Sequence, residues 1–183
     1  LGHGYEITFG SPAASGSYDF PLESLGVKRI PLQLNDSSFD RFLSNSEFDV
    51  VLFDRFITEE QFGWRVRDQQ PGCMTVLDTE DLHSLRHSRE KALREGREWT
   101  AERWIEDPMF FRELASILRC DLSLIVSRVE QDLLSAQLPL LSGKLLFMPF
   151  QLARPAVQEH RDFEDRSGFV FVGNGKHRPN TDA

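Results

Sequence analysis

The residues best equipped for chemistry in this chain stand in four short groups, each directly after a run of apolar residues. Asp54-Arg55-Phe56 is followed by Glu59 and Glu60, and Asp78-Thr79-Glu80-Asp81 has His83 beside it. Ser127 precedes Glu130, and Gly173-Asn174-Gly175-Lys176-His177-Arg178-Pro179-Asn180 closes the set. Carboxylates spaced like Asp78, Glu80 and Asp81 raise one another's pKa, bind a cation, or accept hydrogen bonds from sugar hydroxyls. Acids in the first turn of a helix also complement its dipole with no chemistry at all, and for Asp81 alone that is the simpler role.

The remaining polar residues have narrower readings. His83 and His87 stand at i and i+4, a spacing that can place two imidazoles on one metal. No H-E-x-x-H pattern and no third ligand accompany them, so they read as surface histidines on a charged helix and no metal is expected. Ser127 lacks the G-x-S-x-G surroundings of a nucleophile elbow. With Glu130 three residues on it matches a capping box, and the helix start it caps also suits a phosphate or carboxylate ligand. Gly173-Asn174-Gly175 before a Pro-started helix permits close backbone approach to a phosphate, although the same tripeptide is a common turn.

Composition narrows the function classes. The 183 residues are 40% hydrophobic and 27% charged, as in ordinary globular domains, with a net charge of −8. An acidic surface repels phosphates unless a basic patch is set apart, which argues against a nucleic-acid binder. The richest basic stretch, His83 to Arg103, is interleaved with Glu90, Glu95, Glu98 and Glu102, and reads as a solvated, salt-laced helix face. Cys73 and Cys120 lack metal-ligand spacing and fit a reducing compartment. No apolar run reaches the ~18 residues a membrane span needs, and no secretory leader is evident. A cytoplasmic protein with room for peripheral membrane contact is the expectation.

Positioning these groups falls to apolar runs that alternate with helix-like stretches. Strands are expected at Tyr5 to Phe9, Val27 to Leu34, Asp49 to Phe53, Met74 to Leu77, Leu122 to Val126, Leu145 to Met148 and Phe169 to Val172. The Asp49 to Phe53 run is apolar enough for a strand covered on both faces. Helices are expected at Glu59 to Asp68 and at Leu82 to about Trp104, with Gly96 the place for a break. Another starts at Asp107-Pro108, where Asp caps and Pro suits the first position, and a further one starts at Ser127. This alternation implies an α/β fold with a Rossmann-like, doubly wound parallel sheet, whose ligands sit beyond the carboxyl ends of the strands. Residues 1–152 form the first domain, 153–167 a linker, and 168–183 the opening of a second domain. Leu1-Gly2-His3 reads as the end of a helix, and the strand and Pro179 turn at the other end have little to pack against. Both ends look cut.

Phe171-Val172-Gly173-Asn174-Gly175-Lys176-His177-Arg178-Pro179-Asn180-Thr181-Asp182-Ala183 resembles the F-V-G-N-x-x-H-x-P-N-x-D-A segment of family-4-like glycosyltransferases, where it opens the nucleotide-sugar-binding domain of the GT-B fold. Three upstream segments, Val51 to Trp64, Leu77 to His83 and Arg119 to Glu130, resemble stretches of the same enzymes, in order. The resemblance implies sugar transfer from a nucleotide-sugar donor to a carbohydrate or other hydroxyl acceptor, with retention and without a metal or other cofactor. Asp54, Arg55, Glu59, Asp78, Glu80, Asp81, His83 and Ser127 would face the acceptor, and Gly173, Asn174, Lys176, His177 and Asn180 the donor. Stabilisation of the leaving diphosphate would be the main catalytic term. Many relatives carry an Arg after F-V-G and a Lys before a later Gly, both aimed at the diphosphate. Here Asn174 and Pro179 stand at those positions, leaving Lys176 or Arg178 to substitute. The family's acidic donor motif and its first strand with a Gly-rich loop are not in this sequence, so the piece by itself is expected to be inactive.

Two rival classes compete. Val76-Leu77-Asp78-Thr79-Glu80, Ser127 and Lys144 mimic the order of a haloacid-dehalogenase-type phosphatase. Its second acid, however, should be Asp rather than Glu80, and its strand should be first rather than fourth. A non-catalytic Rossmann-like interaction module is the other rival.

Overall fold

The computed structural model describes residues 4–16, 19–151, 162–170 and Gly173. The chain divides into two compact units, 1–150 and 151–183. In the first unit, β1 (Thr8–Ser11) and β2 (Lys28–Pro31) form a parallel pair. A four-stranded parallel sheet follows, in the order β3 (Val50–Asp54), β4 (Met74–Asp78), β5 (Leu122–Ile125), β6 (Leu145–Phe147). The fold is α/β with parallel sheets, compatible with a Rossmann-like arrangement.

Helices carry the chain between the strands. Before β3 comes α1 (Ser38–Ser44). Between β3 and β4 runs one helical stretch made of α2 (Arg55–Thr58), a π-turn (Glu59–Gly63) and α3 (Trp64–Gln69). Between β4 and β5 lie α4 (His83–Arg94), α5 (Ala101–Ile105) and α6 (Pro108–Arg119), and α7 (Arg128–Gln137) leads to β6. The local signals that start these helices act as their chemistry requires. Asp107 Oδ1 accepts from Met109 N at 2.9 Å, and Ser127 Oγ accepts from Glu130 N at 3.3 Å. Gly96, at φ 62°, takes the left-handed turn that ends the first part of the long polar stretch.

All these crossovers pack on one face. Phe53, Leu77, Ile125 and Leu145 point from the sheet into a core with Leu43, Val66, Leu85, Trp104, Ile117 and Leu134 from the helices. Each such side chain, fully buried, contributes roughly 1.5–3 kcal/mol. The one-sided arrangement follows from topology, because strands added in one direction by right-handed crossovers place every connection on the same side.

The sheet departs from expectation on its other face. Val76 and Leu124 are buried there, but Val50 and Leu52 are 52% and 53% exposed and Met74 and Leu146 are also exposed. The β3 strand is therefore covered on one face rather than two, at the edge of a sheet whose described strands follow one another in chain order. The first strand also sits later than its apolar run, with Tyr5 and Ile7 exposed before it. The helix after β3 starts four residues earlier than expected, at Arg55.

In the second unit, Phe163–Asp165 forms a 3-10 turn. Phe169 and Val170, expected to begin a buried strand, are unpaired and fully exposed, with no neighbouring strand among the described residues. Phe171 and Val172 lie outside the described residues.

Candidate functional site

The parallel register of β3 and β4 sets Asp54 directly beside Asp78 at the carboxyl ends of the two strands. The chain leaves both strands through left-handed backbone, at Arg55 (φ 68°) and Glu80 (φ 56°). For residues with a Cβ that conformation costs about 1–2 kcal/mol each, and such outliers gather at functional sites. The Arg55 guanidinium turns back to Asp54, with Nε 3.1 Å from Oδ1, and reaches Glu80 Oε2 at 3.7 Å. Hydrogen bonding to Asp54 holds the Arg55 pKa above its ordinary value. Glu80 N donates to Asp78 Oδ1 at 3.1 Å, while buried Thr79 donates through Oγ1 to the Leu124 carbonyl at 2.9 Å. That last bond ties the loop to β5.

A second layer lies one residue further on. His83 Nε2 stands 3.1 Å from Asp81 Oδ1, and Arg86 donates to the other Asp81 oxygen. Burial works against the Asp81 carboxylate, but His83 and Arg86 outweigh it and hold the pKa below the usual range. The His83 side chain is 13% exposed and sets its ring edge-on to Phe56, at 5.6 Å between centroids. Arg112 covers the same Phe56 ring from 5.3 Å.

The helix carrying His83 is anchored from beneath. Glu113, on α6, is buried and accepts from His83 N at 2.9 Å, Ser84 N at 3.1 Å and Ser84 Oγ at 2.5 Å. It satisfies the free amides at the start of α4, which no side chain of its own stretch caps. Burial pushes its pKa up despite these bonds. Glu130 does not close its capping box by reaching back to Ser127. Its Oε2 instead accepts from Leu82 N at 3.3 Å, and burial raises its pKa.

The structure thus brings together Asp54, Arg55, Asp78, Glu80, Asp81 and His83, with Ser127 linked through Glu130. Ser127 Oγ accepts the Glu130 amide, which is a cap's role. Glu59 is placed otherwise. It is 1% exposed, and its oxygens accept from Arg119 Nε at 2.9 Å and Arg67 Nη1 at 2.8 Å. The two histidines turn to different acids, His83 to Asp81 and His87 to Asp107, whose Oδ2 lies 3.4 Å from His87 Nδ1. That His87 nitrogen makes no hydrogen bond. Among the described residues, no group of three or more His, Cys, Asp or Glu side chains could hold a metal ion. Both cysteines are free, and burial pushes Cys120 up to about 12. Gly173 is exposed, and Asn174, Lys176, His177 and Asn180 lie outside the described residues.

Sequence reasoning missed Glu113 and Arg86. A signal existed for the first, because Phe110, Glu113 and Ile117 share one helical face and a charge on an apolar face needs a partner. Arg86 lay inside a stretch that reads as a solvated face, and only the fold points it at Asp81.

No helix among the described residues is long and apolar enough to cross a membrane. The chain matches no protein-family model, no curated protein and no solved structure.

Proposed function

We propose that this chain is the acceptor-side part of a GT-B, family-4-like glycosyltransferase, which moves a sugar from a nucleotide-sugar donor to an acceptor hydroxyl. The observation that carries the reading is the polar cluster at the carboxyl ends of β3 and β4, with the Asp81–His83 pair beside it. Ligands of open parallel sheets bind at this edge. Asp81 stays ionised well below neutral pH and accepts hydrogen bonds, and His83 supplies a group that donates or accepts. Arg55 and Glu80, half exposed and paired only at 3.7 Å, are free to exchange that contact for acceptor hydroxyls. Donor binding falls to the segment from Gly173 onward. As the sugar's bond to the diphosphate breaks and its bond to the acceptor oxygen forms, the acceptor hydroxyl's proton passes to the departing diphosphate oxygen, so the acceptor side supplies orientation.

The test is sugar transfer by a form that carries a complete donor-binding domain, given labelled nucleotide sugars and a panel of glycan acceptors. Asp81→Asn and His83→Asn are expected to lower transfer about 100-fold while donor affinity holds. Transfer that is indifferent to both substitutions would remove the strand-end cluster from the reaction.

A second reading, a non-catalytic interaction module, draws support from the exposed apolar residues Val50, Leu52, Met74 and Leu146 on one face of the sheet. The absence of transfer to any acceptor, together with a binding partner lost on Leu52→Lys, would favour it.

A further inference from the structure

Away from the strand ends, the π-turn Glu59–Gly63 builds a second polar feature with no role in the reading above. The extra residue of the π-turn directs Glu59 inward, and Gly63 makes room for it. A Cβ at Gly63 would fall 2.4 Å from Glu59 Oε1 and 3.1 Å from Arg67 Nη1. Glu59 then holds two arginine heads side by side. Arg119 approaches with Nε and Nη2, and Arg67 with Nη1. These groups, with Glu60 and Trp64, line an open, shallow cavity of about 360 Å³.

The charge balance of this cavity is what marks it. Two guanidinium groups share one carboxylate, and with Arg112 counted against the second lining acid, Glu60, the cluster of three arginines and two glutamates keeps one net positive charge. The other acid, Glu60, is engaged by Arg112 through two bonds of 3.0 and 2.6 Å. Arg67 Nε and Nη2 and Arg119 Nη1 have no partner among the described residues, and both arginine side chains are 36% exposed. Guanidinium donors fixed in place by a buried carboxylate are pre-organised for a compact oxyanion, because their rotamer entropy is already lost. π-turns also occur often at functional sites.

We propose that the Arg67–Arg119 cavity is a binding site for a compact oxyanion, a phosphate or carboxylate group, held by the free guanidinium donors over Glu59. The site is separate from the strand-end cluster and stands whether or not that cluster serves a glycosyl acceptor.

The test is a titration of the chain with inorganic phosphate, and separately with acetate, followed through the arginine Nε–H signals by NMR. Saturable shifts confined to Arg67 and Arg119 are expected, with phosphate bound more tightly than acetate. The order of the two ions identifies which group the site prefers. Arg67→Met, which leaves Glu59 its two-pronged contact with Arg119, should weaken binding at least about tenfold. Arg97→Met, outside the cavity, should leave it unchanged. Unsaturable shifts, or shifts spread over all surface arginines, would overturn the proposal, as would full affinity in Arg67→Met. The wild-type titration decides the matter even if that variant fails to fold.

Discussion

The strand-end cluster and the Glu59 cluster are made of the same residue types, yet the fold treats them in opposite ways. At the strand ends, Arg55, Asp54 and Glu80 are about half exposed and joined by longer contacts, and Arg55 and Glu80 are carried on left-handed backbone. In the helix layer, Glu59 is buried and both its oxygens are occupied by arginines that cross-link α3 and α6. A buried carboxylate whose oxygens are held by arginines leaves any ligand to the arginines' remaining donors, whereas a carboxylate that faces solvent can itself accept from a ligand. Residue type alone does not separate the two.

That contrast is open to tests, and the largest effect belongs to the buried cluster. Glu59→Gln removes the charge that two arginines share. Breaking such a pair costs about 3 kcal/mol, the low end of the buried range, because both arginines remain partly solvated. Urea unfolding followed by circular dichroism measures it, and a loss no larger than that of a surface substitution would erase the distinction. Gly63→Ala should cost about 1–3 kcal/mol in the same assay, since its methyl meets the Glu59 carboxylate.

A pH series sharpens the same comparison. Arg119 and Arg67 outweigh burial and hold the Glu59 pKa below its ordinary value. A carboxyl depressed in the folded state contributes stability that is complete above its unfolded pKa, near about 4.3, and lost as pH falls through the folded value. Unfolding free energy should therefore drop as the medium is acidified below about pH 4, and drop less in Glu59→Gln than in the wild type. Asp81 and Asp121, also depressed, add to the acid loss in both proteins. An equal drop in both would mean that Glu59 is not the group titrating.

The smallest effect lies at the strand ends. Glu80→Gly relieves the left-handed backbone there and forfeits only a half-exposed ion pair with Arg55. A net gain of roughly 0.5–1 kcal/mol in stability is expected, read as a raised melting temperature. A loss would show that the Glu80 side chain holds the loop, and that no strain is stored for function.

Local signals in the sequence carried a good part of this structure. Asp107 and Ser127 cap helices because their side chains reach amides two or three residues away, so the residues themselves suffice. The apolar runs at Asp49, Met74, Leu122 and Leu145 mark their strands because each places at least one side chain in the core, whether the strand is interior or at an edge. Val50 and Leu52 read as buried on both faces because apolar content does not reveal which face the crossovers cover. Winding direction settles that, and it is a property of the whole sheet. The strand-end acids were legible from their place after apolar runs. Glu59 was grouped with them by proximity in sequence, but the π-turn rotates it into the helix layer. Glu113 and Arg86 act across 29 or 30 residues in one case and through a helix turn in the other. Neither contact leaves a mark in local spacing strong enough to name its partner.

The most direct measurement compares glycosyl transfer by wild type and Asp81→Asn in a form carrying a complete donor-binding domain, with folded fraction matched by thermal melts. Asp81 is about one-third exposed and its partner Arg86 is solvated, which limits the stability change to about 1 kcal/mol. Loss of about 100-fold in kcat/KM for the acceptor, with donor affinity unchanged, is the expected result. Equal transfer by the two proteins would contradict the assignment of the strand-end cluster to the acceptor.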